Sequence, residues 1–213
     1  DELAERFGVD AVRYYLLSEI PFTQDGTITY ETFIAKFNSD LANILGNLVN
    51  RTVSMSNKYF DGIVKSTGVT DSFDEDLKAV VTGTKAKVAE KMDKLRVADA
   101  MDCIWAIVNR ANKYIDETTP WLLANDESKK ARLCTVLYNL LECIRGAAVL
   151  LTPFIPATAE KIFSILATDK TAYETVASFG ALESEKSLGE GAVLFARIDE
   201  AKFLADREAE ILA

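Results

Sequence analysis

The sequence predicts an all-α protein, a bundle of about five helices followed by an irregular carboxyl-terminal tail. Three observations point there. Ten Gly and four Pro in 213 residues are too few for the many tight turns of a β-sandwich. Apolar side chains make up 49% of the chain, enough to bury a core, and they recur at three- and four-residue spacing along most of it. Repeats with periods of about 20 to 50 residues are absent from the sequence.

Taken in order, residues 1–20 read as a helix through Phe7, Val9, Val12, Tyr15, Leu16 and Ile20, ended by Pro21. Asp25-Gly26 is a turn signal, and Thr27 and Ile28 favour a short extended piece. Thr29 can cap a helix from Tyr30 to Tyr59, which at 1.5 Å per residue would be about 45 Å long. Phe33, Phe37, Leu41, Leu45, Leu48, Thr52 and Met55 form its core stripe. The opposite stripe is Asp40, Asn43, Asn47, Asn50, Arg51, Ser54 and Lys58. Asn competes for nearby backbone groups and weakens a helix, so three in one stripe are either a solvated face or a face that binds something.

The Phe60-Asp61-Gly62 string ends that helix, and 63–73 form a polar loop. A helix from Asp74 to Lys94 turns Leu77, Val80, Val81, Val88 and Met92 inward and solvates its lysines. The next, Val97 to Asp116, buries Met101, Ile104, Trp105, Val108, Ala111 and Ile115, with Asn112 one turn beyond Val108. A buried Asn needs partners, so it is expected to fasten the loop that follows. The string ETTPWLL follows: Pro120 fixes the backbone and pushes Thr119 out of the α region, which puts Trp121 on a stiff, non-helical corner. Trp121 is then either a plug between helices or a platform on which a base can stack. A helix from Ser128 to Leu151 turns Leu133, Val136, Leu137, Leu140, Leu141 and Ile144 inward and stops at Pro153; Pro156 opens a shorter one to Leu166. Residues 167–198 are irregular, with a short strand at Val193–Phe195 and a last charged helix from Glu200.

Chemistry is constrained as much by what is missing. The chain has no histidine, which removes a His general base, a Ser-His-Asp or Cys-His nucleophile and a His-bound metal. Neither a GxxxxGK[ST] nor a GxGxxG phosphate loop is present. Cys103, Cys134 and Cys143 have no CxxC spacing and read as reduced core thiols. No run of about 18 apolar residues and no signal peptide is visible, so the expected compartment is the cytoplasm, with no membrane partner. The net charge of −9 is uneven: residues 1–35 carry two basic and seven acidic groups, 180–213 four and eight, and 36–179 balance at 18 each. The middle of the chain can therefore present a basic face, and the acidity demotes only non-specific nucleic-acid binding. Opening at Asp1 inside a helical pattern, the sequence is expected to be an excised piece of a longer protein.

The strings DAVRYYLLSEIPFTQDGTIT, FNSDLANILGNLVNR, NKYFDG and ANKYIDETTPWLLA, in this order across residues 10–125, resemble the carboxyl-terminal part of the methionyl-tRNA synthetase family. LLTPFIPATAEKI matches the family's bundle closure more weakly, and the tail more weakly still. The resemblance implies the end of the stem-contact connection over 1–30, the anticodon-binding bundle over 31–166, and a tail, 167–213, that packs back on the bundle or toward a catalytic domain outside this chain. It implies a partner tRNA(Met) read through its CAU anticodon, no cofactor in this chain, and ATP and magnesium in the catalytic domain, so that the chain alone catalyses nothing. Carried over by position, the anticodon readers are Asn47, Arg51 and Trp121, with Asn43, Asn50, Lys58, Asn112, Lys113 and Pro120 as second-rank candidates. Asn47 and Arg51 are four apart and project from one helix face, where an amide offers donor and acceptor to a base edge and a guanidinium adds charge-assisted donors. The alternatives are the matching bundle of a cysteine, leucine, isoleucine or valine synthetase, which GNLVNR and the Pro-Trp corner disfavour, and a helical module that binds only protein.

Overall fold

The computed structural model describes residues 2–20 and 25–212. The elements are α1 (Glu2–Phe7), α2 (Val9–Glu19), α3 (Tyr30–Lys36), a π-helical segment (Phe37–Gly46), α4 (Asn47–Phe60), α5 (Ser72–Asp93), α6 (Val97–Thr118), α7 (Pro120–Leu123), α8 (Lys130–Leu151), α9 (Pro156–Leu166) and α10 (Glu200–Leu212). Among the described residues there is no β-strand, only an isolated bridge between Ile63 and Ser187. The all-α bundle is therefore as expected.

Local signals account for most boundaries. Thr29 caps α3 through a reciprocal box with Thr32, and Asp71 caps α5 in the same way with Asp74, each satisfying amide groups that the first turn leaves unpaired. Asp61 and Gly62 both take positive φ and end α4. Three expectations are corrected. Residues 2–19 form two helices, because Gly8 at φ 85 breaks the run into α1 and α2. Thr27 and Ile28 are irregular, and so is Val193–Phe195; neither has a neighbouring strand to complete a ladder, and alternation alone cannot supply one. The stop at Pro21 lies outside the described residues.

The centre of the molecule is α8. Every residue from Leu133 to Leu151 is buried, with α5, α6, α4 and α9 packed around it. By length and composition Glu127–Leu151 could cross a membrane, but its apolar stretch is wholly buried inside the bundle, as the core helix of a large helical fold is. The expected inward residues are all there, but periodicity did not show that α8 also buries Asn139, Glu142 and Arg145.

Those polar groups have partners. Arg145 donates to both Glu142 oxygens at 2.8 and 2.7 Å, to the Lys170 carbonyl at 2.9 Å and to Thr175 Oγ1 at 2.8 Å. Glu142 in turn accepts the backbone N–H groups of Gly180, Ala181 and Leu182 at 3.0, 3.1 and 2.9 Å. One ion pair thus holds the tail from 170 to 182 against the core. A second network starts from Asp74, which accepts two bonds from Arg132 at 2.6 and 2.7 Å and one from the Tyr114 hydroxyl at 2.5 Å. Asn139 donates to that hydroxyl at 3.2 Å, so α5, α6 and α8 meet at one carboxylate. Further along, α10 docks on α1 and α3 through Phe203, whose ring lies 5.1 Å from Phe7 and 5.3 Å from Tyr30.

Glu142→Ala should lower stability by about 3–5 kcal/mol in urea unfolding, since it strands a buried guanidinium and three tail amides. Asp74 generates a pH dependence. Burial alone would raise its carboxyl, but bonds from Arg132 and Tyr114 outweigh that and hold it below the ordinary 3.8. A carboxyl lowered on folding stabilises above its unfolded pKa and loses that contribution as pH falls below it. The stability gap between the parent and Asp74→Asn should therefore be widest near neutral pH and close as unfolding is followed below pH 3.8.

Candidate nucleic-acid interface

The polar stripe of the long helix lies where the sequence put it. Asn43, Asn47, Asn50, Ser54 and Lys58 are exposed and Arg51 is half-buried, while the facing stripe from Phe33 to Thr52 is core. Neither Asn47 nor Arg51 makes a side-chain hydrogen bond or ion pair to the described residues. The exposed Asn47 amide is open as donor and acceptor, and the half-buried Arg51 guanidinium keeps its donors uncommitted. Asp40 departs from the stripe: it turns inward, accepting from Tyr14 at 2.6 Å, Ser39 at 2.6 Å and Lys36 at 2.9 Å. Burial would raise its carboxyl, but these bonds outweigh it and lower it. Tyr14, mainly desolvated and also bonded to that carboxylate, is pushed up and stays protonated.

Two contacts tie the long helix to α6 and to the end of α7. The Asn112 amide on α6 donates to the Ile44 carbonyl of the π-helical segment at 3.3 Å. Further along, Lys58, Tyr59 and Phe60 of α4 share a cavity of about 190 Å³ with Leu123 at the end of α7 and with Ala124 just after it. In sequence, Asn47 and Arg51 fall between these two contacts.

Trp121 is 41% exposed, with Leu122 exposed beside it. The plug reading belongs to the other tryptophan: Trp105 is 7% exposed and stacks on Tyr14 at 4.7 Å. The corner is stiff as expected, but its geometry is corrected. Pro120, buried, opens a one-turn helix, and Trp121 is its second residue. Thr119 leaves the right-handed region as predicted, and it does so at φ 43, ψ 62. Pro at the first helical position costs no hydrogen bond, which is why the turn restarts at once.

The second-rank candidates divide. Lys58 is exposed with its ammonium 5.3 Å from the Tyr59 ring centroid, and Asn43 points to solvent. Lys113 is exposed but pairs with Glu117 at 3.5 Å. Asn50 accepts from Ser54 at 3.1 Å and lines a cavity with Gly191–Val193 of the tail, so it faces the tail. Asn112 is half-buried and spends its amide hydrogens on Ile44 and Val108 carbonyls. It therefore fastens the π-helical segment, where the sequence suggested the loop that follows. The three cysteines are free, two of them buried.

Residues 1–53 match the family described as class I tRNA synthetases (M). With an all-α bundle that carries an exposed polar stripe and a part-exposed, proline-fixed indole, that match defines the class: the helical, anticodon-binding part of a class I aminoacyl-tRNA synthetase. Residues 64–208, two thirds of the chain, match the family described as the anticodon binding domain of methionyl tRNA ligase, and the chain belongs to that family. It is 50% identical to the methionine–tRNA ligase of Caldanaerobacter subterraneus subsp. tengcongensis, over 97% of this chain and 33% of the relative. It is 45% identical to that of Bacillus subtilis, over 92% and 30%. Apo methionyl-tRNA synthetase of Mycobacterium tuberculosis superposes with a TM-score of 0.87 at 36% identity, over 93% of this chain and 40% of that one. The chain spans about a third of the length of these curated relatives.

The two tryptophans should separate in mutagenesis. Trp105→Ala should cost about 3–5 kcal/mol, as for a large aromatic removed from a core. Trp121→Ala should cost far less, because its ring already meets solvent. Paired thermal melts of the two variants check this; equal losses would return Trp121 to the core.

Proposed function

We propose that this chain reads the CAU anticodon of tRNA(Met) with Asn47, Arg51 and Trp121. The observation that carries the reading is the part-exposed indole on its proline-fixed corner, in a chain whose long helix also presents an amide and a guanidinium that no described side chain engages. An unstacked base gains about 1–3 kcal/mol by lying on an aromatic ring, whatever its identity. Identity must then come from hydrogen bonds at the base edge, which Asn47 supplies as donor and acceptor and Arg51 as a charged donor. Because both are already desolvation-ready on a helix that α8 and α6 hold in place, little ordering entropy opposes binding. Lys58 and Asn43 flank the readers and contribute charge and polar contact to the loop backbone.

In the whole protein this reading makes the chain the tRNA-selecting part of a ligase that joins methionine to tRNA(Met). Adenylate chemistry with ATP and magnesium is assigned to a catalytic domain within the remaining two thirds of the relatives' length. No residue of this chain is given a part in that step. The connection over 1–30, the bundle over 31–166 and the tail over 167–213 act as one support, and the compartment is the cytoplasm, where the tRNA partner is found.

Asn47→Ala and Arg51→Ala should each weaken binding of a CAU anticodon stem-loop by about 1–3 kcal/mol and leave the melting midpoint close to that of the parent, since neither opens a cavity. Fluorescence titration of the Trp105→Phe protein supplies a second readout, with cognate RNA quenching Trp121 more than an RNA of altered anticodon. Parental affinity in both alanine variants would make the stripe a solvated face and favour a module that binds only protein.

A further inference from the structure

We propose that the π-helical segment Phe37–Gly46 sets the rotational register of the two anticodon readers, and that Asn112 is the positioning residue that clamps it. The proposal rests on the reading of Asn47 and Arg51 given above. It starts from where the segment stops: Gly46 is its last residue and Asn47 the next. The Asn47 amide still reaches five residues back, to the Ala42 carbonyl. Each residue of an α-helix turns the chain by about 100°, so one added residue of π winding turns everything after it by about that angle. With plain α winding from Tyr30, Asn47 and Arg51 would face a different neighbour.

Wide turns of this kind are rare, short and concentrated at functional sites, and this one is held from three sides. Asn38 pairs with the backbone of Ile198 in both directions at 2.8 Å, tying the segment to the tail. Asp40 ties it to α2 through the Tyr14 hydroxyl. Asn112 ties it to α6 through the Ile44 carbonyl, three residues before Asn47. The winding also selects the residue at 46: a Cβ there would lie 3.0 Å from the Leu41 carbonyl oxygen, tighter than ordinary contact. Glycine lets the turn close.

The bonding of Asn112 separates a clamp from a reader. Both hydrogens of its amide are spent inside the protein, one on Ile44 and one on Val108, so its NH₂ group has no donor left for a base edge. A clamp of this kind acts on RNA through Asn47 and Arg51, whereas a direct contact could use only the Asn112 carbonyl oxygen.

The test uses Asn112→Asp, nearly isosteric but unable to donate in its ionised form, and Gly46→Ala, which crowds the turn independently. Each should lower the affinity of the chain for a CAU anticodon stem-loop by about tenfold, the scale of one lost base contact, with the circular dichroism of a folded helical protein. In the Asn47→Ala, Arg51→Ala background Asn112→Asp should cost nothing further, because a residue that acts through others is not additive with them. Amide hydrogen exchange across 42–51 should speed up in both single variants without RNA present. An undiminished tenfold loss in the double-alanine background would make Asn112 an independent reader and overturn the proposal. Unchanged exchange protection in folded Asn112→Asp and Gly46→Ala would overturn it regardless of RNA. If instead Asn47→Ala and Arg51→Ala themselves bind normally while exchange quickens, the clamp stands and the assignment of the readers fails.

Discussion

The structure is organised by the need to satisfy α8. A helix buried on every side from Leu133 to Leu151 can carry polar side chains only if neighbours complete their hydrogen bonds, because an unpartnered buried charge costs several kcal/mol. Arg132, at the rim of that buried stretch, and Asn139 reach the carboxylate of Asp74 and the hydroxyl of Tyr114. Glu142 and Arg145 consume backbone groups of the tail between 170 and 182. Apolar contacts can slide by a turn at small cost, but these bonds cannot, and so they select which elements lie against α8 and at what height.

The interface inherits its rigidity from that arrangement. With α5, α6 and α8 tied at Asp74, the end of α6 has a defined height, and Pro120 carries that definition directly into Trp121. On the other side, α4 packs on α8, while the earlier part of the long helix buries its stripe against α1, α2 and α6. Its π-helical segment is bonded to α2, α6 and the tail. Side chains on supported helices keep their geometry without a ligand, so the proposed binding need not order them first. Positive φ at Thr119 is sustained by the helices on either side of it.

Much of this was legible from residues alone. Apolar spacing located the helices from Tyr30 to Leu166, and Thr29, Pro153 and Pro156 marked boundaries through mechanisms that act over a few residues. The exposed stripe with Asn47 and Arg51 is legible in the helical period, and the stiff corner at Trp121 in its proline, but not whether that indole is plug or platform. The π winding itself has a trace in the sequence: Phe33, Phe37, Leu41 and Leu45 are spaced by four throughout, a period longer than the 3.6 of an α-helix, and all four face the core. Asp40 was placed on the outer stripe because period ignores that Tyr14 and Lys36 would converge on it.

What the sequence determined by itself is therefore local: which stretches are helical, which face of each is apolar, and where glycine or proline forces a stop, since all of these depend on neighbours within about two turns. Tertiary structure decided the rest. Whether Asn112 faced RNA or a carbonyl depended on Ile44, 68 residues away. Whether Glu142 and Arg145 could be buried depended on tail amides some 40 residues on. Which tryptophan plugged the core depended on Tyr14 stacking over Trp105. Polar side chains take their role from partners that only the folded chain brings within about 3 Å, and no periodicity along one helix records who those partners will be.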